Sequence, residues 1–457
     1  MKKYILLAII FILGYTNLSY ELIILRQLIS FLGSNVIITS VVMAFILLFL
    51  SVGYYLGSVI SFTHRSIRKI NTKLLFGLAV WYMLFCHYSI IAGFFILTHN
   101  MYAPLLKTFM FSGIWLIIPS VATGFVTASI GRIIHFLNRN YTGRFMAIDT
   151  LGSVFGSLLT TLVLMPLIGV SATVFSLVLL TCVATVLQCR RPMRLFYGLF
   201  GVLVICASFY MNVYFPTQNY PFLIKDDAIS RLAIIPADFG QSKIMLINGQ
   251  FASKMATEDK QFSYTRFINN MLKTLDKNKR HSILVLGAAG FSIGIDDEQN
   301  EYTFLDIEPD LKKISEKYFW GKPLGENKKL IVQDAFFYML QNKQKYDVII
   351  LDVYSSGNNI PVNFVTADLF KMIKDSLNPN GYMVANIVTS PNFENEFSKR
   401  IDNTLRLVFP NYLSRQVIDG FSTNPNAWAN VIYIYHNLPV DNAIYTLDKN
   451  TAMYGQF

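Results

Sequence analysis

Three aspartates in the C-terminal half of this chain each close an apolar run. Asp306 ends Tyr302-Thr-Phe-Leu-Asp306, Asp334 ends Leu330-Ile-Val-Gln-Asp334, and Asp352 ends Tyr346-Asp-Val-Ile-Ile-Leu-Asp352. A fourth run, Ser282-Ile-Leu-Val-Leu, leads into Gly287, Gly290 and Gly294. If these runs are strands of one parallel sheet, their carboxyl ends share a single crevice, which is where such sheets bind ligands. A carboxylate there can accept hydrogen bonds from the two hydroxyls of a ribose, or take a proton from a nucleophile. Glycines in the adjoining loop let the backbone come close to a ligand. The loop and the three acids together point to a nucleoside-binding site. The competing reading is that each acid only caps the helix that follows it.

The elements that must hold these residues can be read from the pattern around them. From residue 282 onward, strand-like runs alternate with helical ones, Leu311–Tyr318 and Ala367–Leu377, and further strands fall at Tyr382–Val388 and Val431–Tyr435. Such alternation specifies a parallel sheet covered on both faces, an α/β Rossmann-like domain. Ahead of it, residues 231–250 alternate apolar and polar groups and reach Asn248-Gly249, a hairpin-turn pair, so a small antiparallel β unit is expected. A helix follows around Phe262–Leu275. Lys328 reads as a surface position. The expected organisation is 1–215 transmembrane, 216–280 linker with the β unit and its connecting helix, and 281–457 Rossmann-like domain.

Residues 1–215 are of another kind. About seven stretches are long and apolar enough to span a bilayer: 4–24, 35–61, 74–98, 108–131, 145–168, 171–188 and 195–215. The first lacks a small-x-small cleavage site and precedes six more, so it reads as retained. This region holds fourteen Lys and Arg against two acids, Glu21 and Asp149; the remainder holds 25 basic and 26 acidic residues. The positive surplus of the chain is therefore a matter of topology, and a nucleic-acid partner is not expected. Lys2 and Lys3, then Arg65 to Lys73, Arg132 to Arg144, and Arg190 to Arg194 mark alternate loops, which puts the N-terminus in the cytoplasm of a cell (inner) membrane. Seven spans then put the C-terminal domain outside the cytoplasm. An intramembrane acid is a functional candidate by default; the plainer expectation is that Glu21 pairs with Arg26 and Asp149 opens a helix at the interface. Gly53 with Gly57, and Gly152 with Gly156, suit close helix packing. Cys86, Cys182, Cys189 and Cys206 show no zinc-ligand spacing, and no metal is expected.

The residues of the soluble half resemble the spermidine synthase (polyamine aminopropyltransferase) family, in particular its branch fused to membrane helices. The likeness covers roughly residues 240–390 and implies an α/β Rossmann-like fold of the S-adenosylmethionine-methyltransferase type. Val285-Leu-Gly287-Ala-Ala-Gly290 stands at the family's glycine loop and Asp306-Ile-Glu308 at its ribose-binding element. Asp334 stands beside the adenine, Asp352 at the catalytic aspartate, and Phe262-Ser-Tyr264 along the amine pocket. Tyr20-Glu21, Arg26 and Asp149-Thr-Leu-Gly152 look like the membrane half of the fused branch. The resemblance implies transfer of an aminopropyl group from decarboxylated S-adenosylmethionine to an amine, with Asp352 and Tyr264 catalytic and Gly287, Gly290, Asp306 and Asp334 at the donor. Three positions depart from the family. Its loop aspartate falls on Gly290, the second acid of its Asp-x-x-Asp pair on Ser355, and its glutamine near Ala252. Each lost anionic contact to a polyamine is worth ~1.5–3 kcal/mol, so the acceptor expected is not plain putrescine. An S-adenosylmethionine-dependent methyltransferase and a non-catalytic nucleoside-binding sensor are the alternatives; an oligomer is left open. Because adenosyl donors are cytoplasmic, a miscounted span, with the first stretch re-entrant, is the alternative topology.

Overall fold

The computed structural model describes residues 3–32, 36–60, 63–98, 104–137, 142–215, 222–257, 260–354, 360–418 and 428–439. Two compact units divide the chain, the first ending at Ser253 and the second beginning at Lys254. The first unit begins with α1 (Lys3–Leu32), α2 (Val36–Val59), α3 (His64–Phe85), α4 (Tyr88–Leu97) and α5 (Pro104–Leu137). Next come α6 (Thr142–Leu159, continued by a π segment Thr160–Leu164 and by Met165–Ile168), α7 (Val170–Gln188) and α8 (Arg194–Phe209, with a π segment Tyr210–Tyr214). The first π turn stands just before Pro166, which has no N–H and whose ring displaces the carbonyl four residues earlier.

Six of these helices are long and apolar enough to cross a bilayer, and α3 with α4, bent by 67°, makes a seventh if the pair is one span. The stretch expected as one span at 74–98 is thus broken at Cys86-His87. α1 runs unbroken for 30 residues and is one of the six. Contacts at the two ends of α3 show how far it reaches. Near its start, Arg68 donates to the carbonyls of Gln188 and Cys189 at the end of α7 (2.6 and 2.7 Å). Past its end, the His87 ring packs on Phe215, beyond α8. α7 begins at Gly169, beside the Asp226 carbonyl, and α8 ends toward Phe215, so α3 runs the length of the bundle. At 1.5 Å per residue its 22 residues span ~33 Å, although it is apolar enough for a span only together with α4.

Carbonyls freed at the break must find donors, since hydrocarbon supplies none. Asn212 Nδ2 reaches the Met83 carbonyl, Trp115 Nε1 that of Phe85 and Gln27 Nε2 that of Cys86, at 3.3, 2.8 and 2.8 Å. Two seams of small residues bring helices into backbone contact. A Cβ on Gly14, Gly152 or Gly156 would lie 2.2–2.4 Å from a carbonyl across the α1/α6 crossing, and Gly53, Gly57 and Gly124 do the same for α2/α5.

Four antiparallel strands follow in the order β1 (Leu223–Asp226), β2 (Arg231–Ala237), β3 (Ser242–Ile247), β4 (Gln250–Met255). Asn248 and Gly249, at φ 51° and 79°, make the expected turn between β3 and β4. Arg26 does not pair with Glu21. The two are five residues apart and point to different sides of α1. Arg26 instead donates to the Asp227 carbonyl (2.5 Å) and faces Asp226 and Asn248. Arg231 bonds Asp226 and stacks over Tyr88, which ties the small sheet to α1 and α4. Asp149 lies inside α6 and not at its start.

The second unit is a seven-stranded sheet built from β5 (Ser282–Leu286), β6 (Glu301–Asp306), β7 (Lys328–Val332), β8 (Tyr346–Leu351), β9 (Leu377–Thr389), β10 (Leu413–Val417) and β11 (Ala429–His436). Its order is β10-β11-β9-β8-β5-β6-β7; β9-β8-β5-β6-β7 run parallel and the β11 pairings are antiparallel. Val285, Phe304, Ile350 and Val384 are fully buried, as continuous apolar strands covered on both faces require. Chain order reverses at β5, flanked by β8 and β6, and this is the switch point where such sheets open. The β5–β6 crossover has no helix. Residues 287–300 make turns only, with Phe291, Ile293 and Ile295 buried in the space a helix usually fills. Lys328 is 1% exposed, its Nζ on the Asp297 carbonyl at 2.9 Å, against the surface position expected.

The α1/α6 seam gives a direct check. Gly152→Leu is expected to cost about 1–3 kcal/mol and to lower the thermal midpoint of the detergent-solubilised protein, whereas Gly143→Leu, with open space around it, leaves that midpoint unchanged.

Candidate active site

Beyond β8, Asp352 is reached by two polar side chains, one of them backed by a third. Asn386 Nδ2 on β9 donates to Asp352 Oδ1 at 2.9 Å, and Asn430 Nδ2 on β11 donates to Asn386 Oδ1 at 2.9 Å. Tyr264, on the helix Ser263–Leu272, donates its hydroxyl to the same carboxylate. Tyr354 braces the group by donating to the Asn386 carbonyl and accepting from Val388 N, at 2.9 and 3.0 Å. Burial pushes the Asp352 carboxyl up to about 6, and the bonds from Asn386 and Tyr264 offset only part of that. Burial and the adjacent Asp352 raise the Tyr264 phenol, which stays protonated as a donor. The result is a carboxylate ionised at neutral pH, held by two donors, with its pKa close to working pH.

Gly287 meets Asp352 at the switch point. Its φ is +93°, and a Cβ would lie 2.3 Å from the Asp352 carbonyl oxygen, so strand packing requires a glycine here. Its neighbour Ala288 donates its backbone N–H to Asp306 Oδ2 at 3.1 Å, while Glu308 N donates to Oδ1 at 3.1 Å. Asp306 therefore stands in the glycine loop, with the Ala289 N–H as a third backbone donor to its carboxylate. Burial raises its carboxyl, against the pull of the loop N–H groups. Asp334 accepts from Phe336 N and Phe337 N through Oδ1 and so caps the helix Ala335–Gln341. The Gly290 carbonyl takes the Trp320 indole at 2.6 Å. Ser355 lies outside the described residues.

Asp306, Asp334 and Asp352 follow parallel strands that all end on one side of the sheet, β7, β6, β5 and β8 in order. Asn386, Asn430 and Tyr354 were not read from the sequence. Asn386 had left a signal, a polar residue inside the apolar run Tyr382–Val388. Among the described residues no group of three or more His, Cys, Asp or Glu could hold a metal ion.

A Rossmann-like sheet with a glycine loop and acids at its switch point defines an α/β fold of the methyltransferase type. Residues 261–432 match the family model described as spermine/spermidine synthase domain. The polyamine aminopropyltransferase of Sulfolobus acidocaldarius is 25% identical over 200 residues, 41% of this chain and 64% of that protein. That of Saccharolobus solfataricus is 25% identical over 178 residues, 36% and 57% respectively. The match thus spans less than two thirds of those relatives. A crystal structure of a probable spermidine synthase from Corynebacterium glutamicum aligns with a TM-score of 0.40 at 19% identity, covering 50% of this chain and 82% of that one. Residues 261–432 of this chain are thus similar to the spermine/spermidine synthase domain.

The Asp352 environment makes a stability prediction. In the fold this carboxyl keeps its proton up to about pH 6, against 3.8 for the free group. Between those values the folded state binds more protons, so this group's contribution to stability is fully present below pH 3.8 and is lost as pH rises through 6. Asp352→Asn is expected to exceed the parent in unfolding free energy by on the order of 2–3 kcal/mol at pH 7 and to equal it near pH 4. Denaturant titrations of the full chain at the two pH values check this.

Proposed function

We propose that this chain is a membrane-anchored, spermidine-synthase-like transferase that moves an aminopropyl group from decarboxylated S-adenosylmethionine to an amine other than plain putrescine. The observation that carries the reading is the buried Tyr264–Asp352–Asn386–Asn430 chain beside the glycine loop. When bound, the donor supplies a sulfonium and an electrophilic methylene. The acceptor nitrogen attacks that methylene; the C–N bond forms as the C–S bond breaks, its electron pair goes to sulfur, and methylthioadenosine leaves. Asp352 takes the proton from the acceptor nitrogen or fixes its lone pair toward carbon, and Tyr264 orients it. Asp306, in the glycine loop, suits the ribose hydroxyls. Gly290 and Ser355, where the family carries acids, remove two anchors for a long cationic chain and favour a different acceptor.

A second reading, nucleoside or amine binding without turnover, is favoured by the helix-free crossover after the glycine loop. The test is methylthioadenosine release by the full chain in nanodiscs, with decarboxylated S-adenosylmethionine and a panel of amines. Turnover is expected with at least one amine, with a break near pH 6 in the log rate profile, below which the rate falls. Asp352→Asn is expected to lower it 10²–10⁴-fold and to abolish the break. A folded protein that releases none across the panel overturns the transferase reading, and retained nucleoside binding then favours the second.

For sidedness, the loops rich in arginine are proposed to face the cytoplasm, and α3 with α4, taken as one span, gives seven crossings. The C-terminal domain then lies on the other face. Lys343→Cys, at an exposed position, in a background without the four native cysteines, is expected to react with an impermeant maleimide in intact cells. Protection until lysis reverses the orientation and leaves the transferase chemistry untouched.

A further inference from the structure

Where α3 begins and α7 ends, positive charge is gathered with no acid nearby in sequence to balance it. Arg68 uses Nε and Nη2 on the Gln188 and Cys189 carbonyls. Arg190 and Arg194 both repel the Arg68 guanidinium, and Arg68 and Arg194 both act on the Cys189 sulfur. Three cations therefore crowd one turn of backbone, and only an anion relieves them. The same turn holds polar atoms with nothing to bind. Gln188 is 1% exposed, yet neither its Nε2 nor its Oε1 has a hydrogen-bond partner, and the buried Nε of Arg194 has none either. Native structures leave few such atoms, and each calls for a missing partner. Arg194 also opens the 16-residue α8, whose first N–H groups and dipole favour negative charge.

We propose that Arg68, Gln188, Arg190 and Arg194 form a binding site for a phosphate group, carried by an anionic lipid headgroup or free in solution. Guanidinium forks match phosphate oxygens two at a time. Gln188 Nε2 donates to a third oxygen, and its Oε1 accepts from a P–OH or from a hydroxyl of the headgroup. The site lies at the arginine-bearing end of the bundle, within reach of an interface where anionic lipids collect around basic side chains. It is independent of the transferase reading.

The test uses the full chain in neutral detergent, followed by thermal unfolding. Phosphatidylglycerol is compared with phosphatidylcholine, and sodium phosphate with sodium chloride at matched ionic strength. A saturable rise in midpoint with phosphatidylglycerol alone identifies a lipid headgroup, and a rise with inorganic phosphate identifies a free anion; either supports the site. Arg190→Gln with Arg194→Gln is expected to weaken the apparent affinity at least tenfold. Gln188→Leu, which replaces the orphaned amide by an apolar side chain of similar size, is expected to keep the unliganded midpoint and still lose affinity. No response beyond the matched controls, or an unchanged response in both variants, overturns the proposal.

Discussion

The carbonyl of Asp352 occupies the space where a side chain at residue 287 would begin, and the candidate site is organised around that contact. β5 and β8 remain hydrogen-bonded up to this point, Asp352 N on the Leu286 carbonyl at 2.9 Å, and then part. Because they part here, the glycine loop turns one way, toward Asp306, and the Asp352 side chain turns the other, toward Asn386 on β9. Any residue with a Cβ at 287 pushes the two strands apart and unsets both halves of the crevice together. The constraint is steric and local, yet it fixes the relation between the group that can hold a ribose and the group that can hold an amine.

The two compact units solve the same electrostatic problem by the same means. In each, backbone or carboxylate oxygens that water cannot reach are satisfied by side-chain amides, indoles and guanidinium groups from distant parts of the chain. Gln27, Trp115 and Asn212 do this for the broken helix, and Arg68 for the end of α7. Arg132 does it for the end of α2, through the Ser58 and Ile60 carbonyls. Asn386 and Asn430 do it for Asp352. The last group differs in leaving its carboxylate ionisable near neutrality, and that separates a reactive group from a structural one.

What the sequence made legible follows from which physics was local. The strands of the sheet, the Asn248-Gly249 turn and the acids at strand ends depend on runs of a few residues, and they were readable. Asp334 was readable only as two alternatives, since a capping carboxylate and a ligand-binding one occupy the same position in sequence. The break at Cys86-His87 was not visible, because no proline or glycine marks it and the donors that stabilise it come from α1, α5 and α8. Arg26 was misassigned for a related reason: its partners, Asp226, Asp227 and Asn248, lie some two hundred residues away. Lys328 was misjudged because a lysine with its stem buried and its ammonium on a carbonyl looks, in sequence, like any solvated one.

The break in the third hydrophobic segment also bears on how the chain is made. Its Met83 carbonyl is capped by Asn212, 129 residues further along. At ribosomal rates of ~5–20 residues per second, that interval lasts roughly 6–26 s. During it the segment cannot rest as a finished span in lipid, because an uncapped carbonyl in hydrocarbon costs several kcal/mol. The nascent bundle therefore has reason to stay beside water or the insertion machinery until its final helix emerges, so that α8 acts as the closing member of the bundle as well as the lead into the soluble domain.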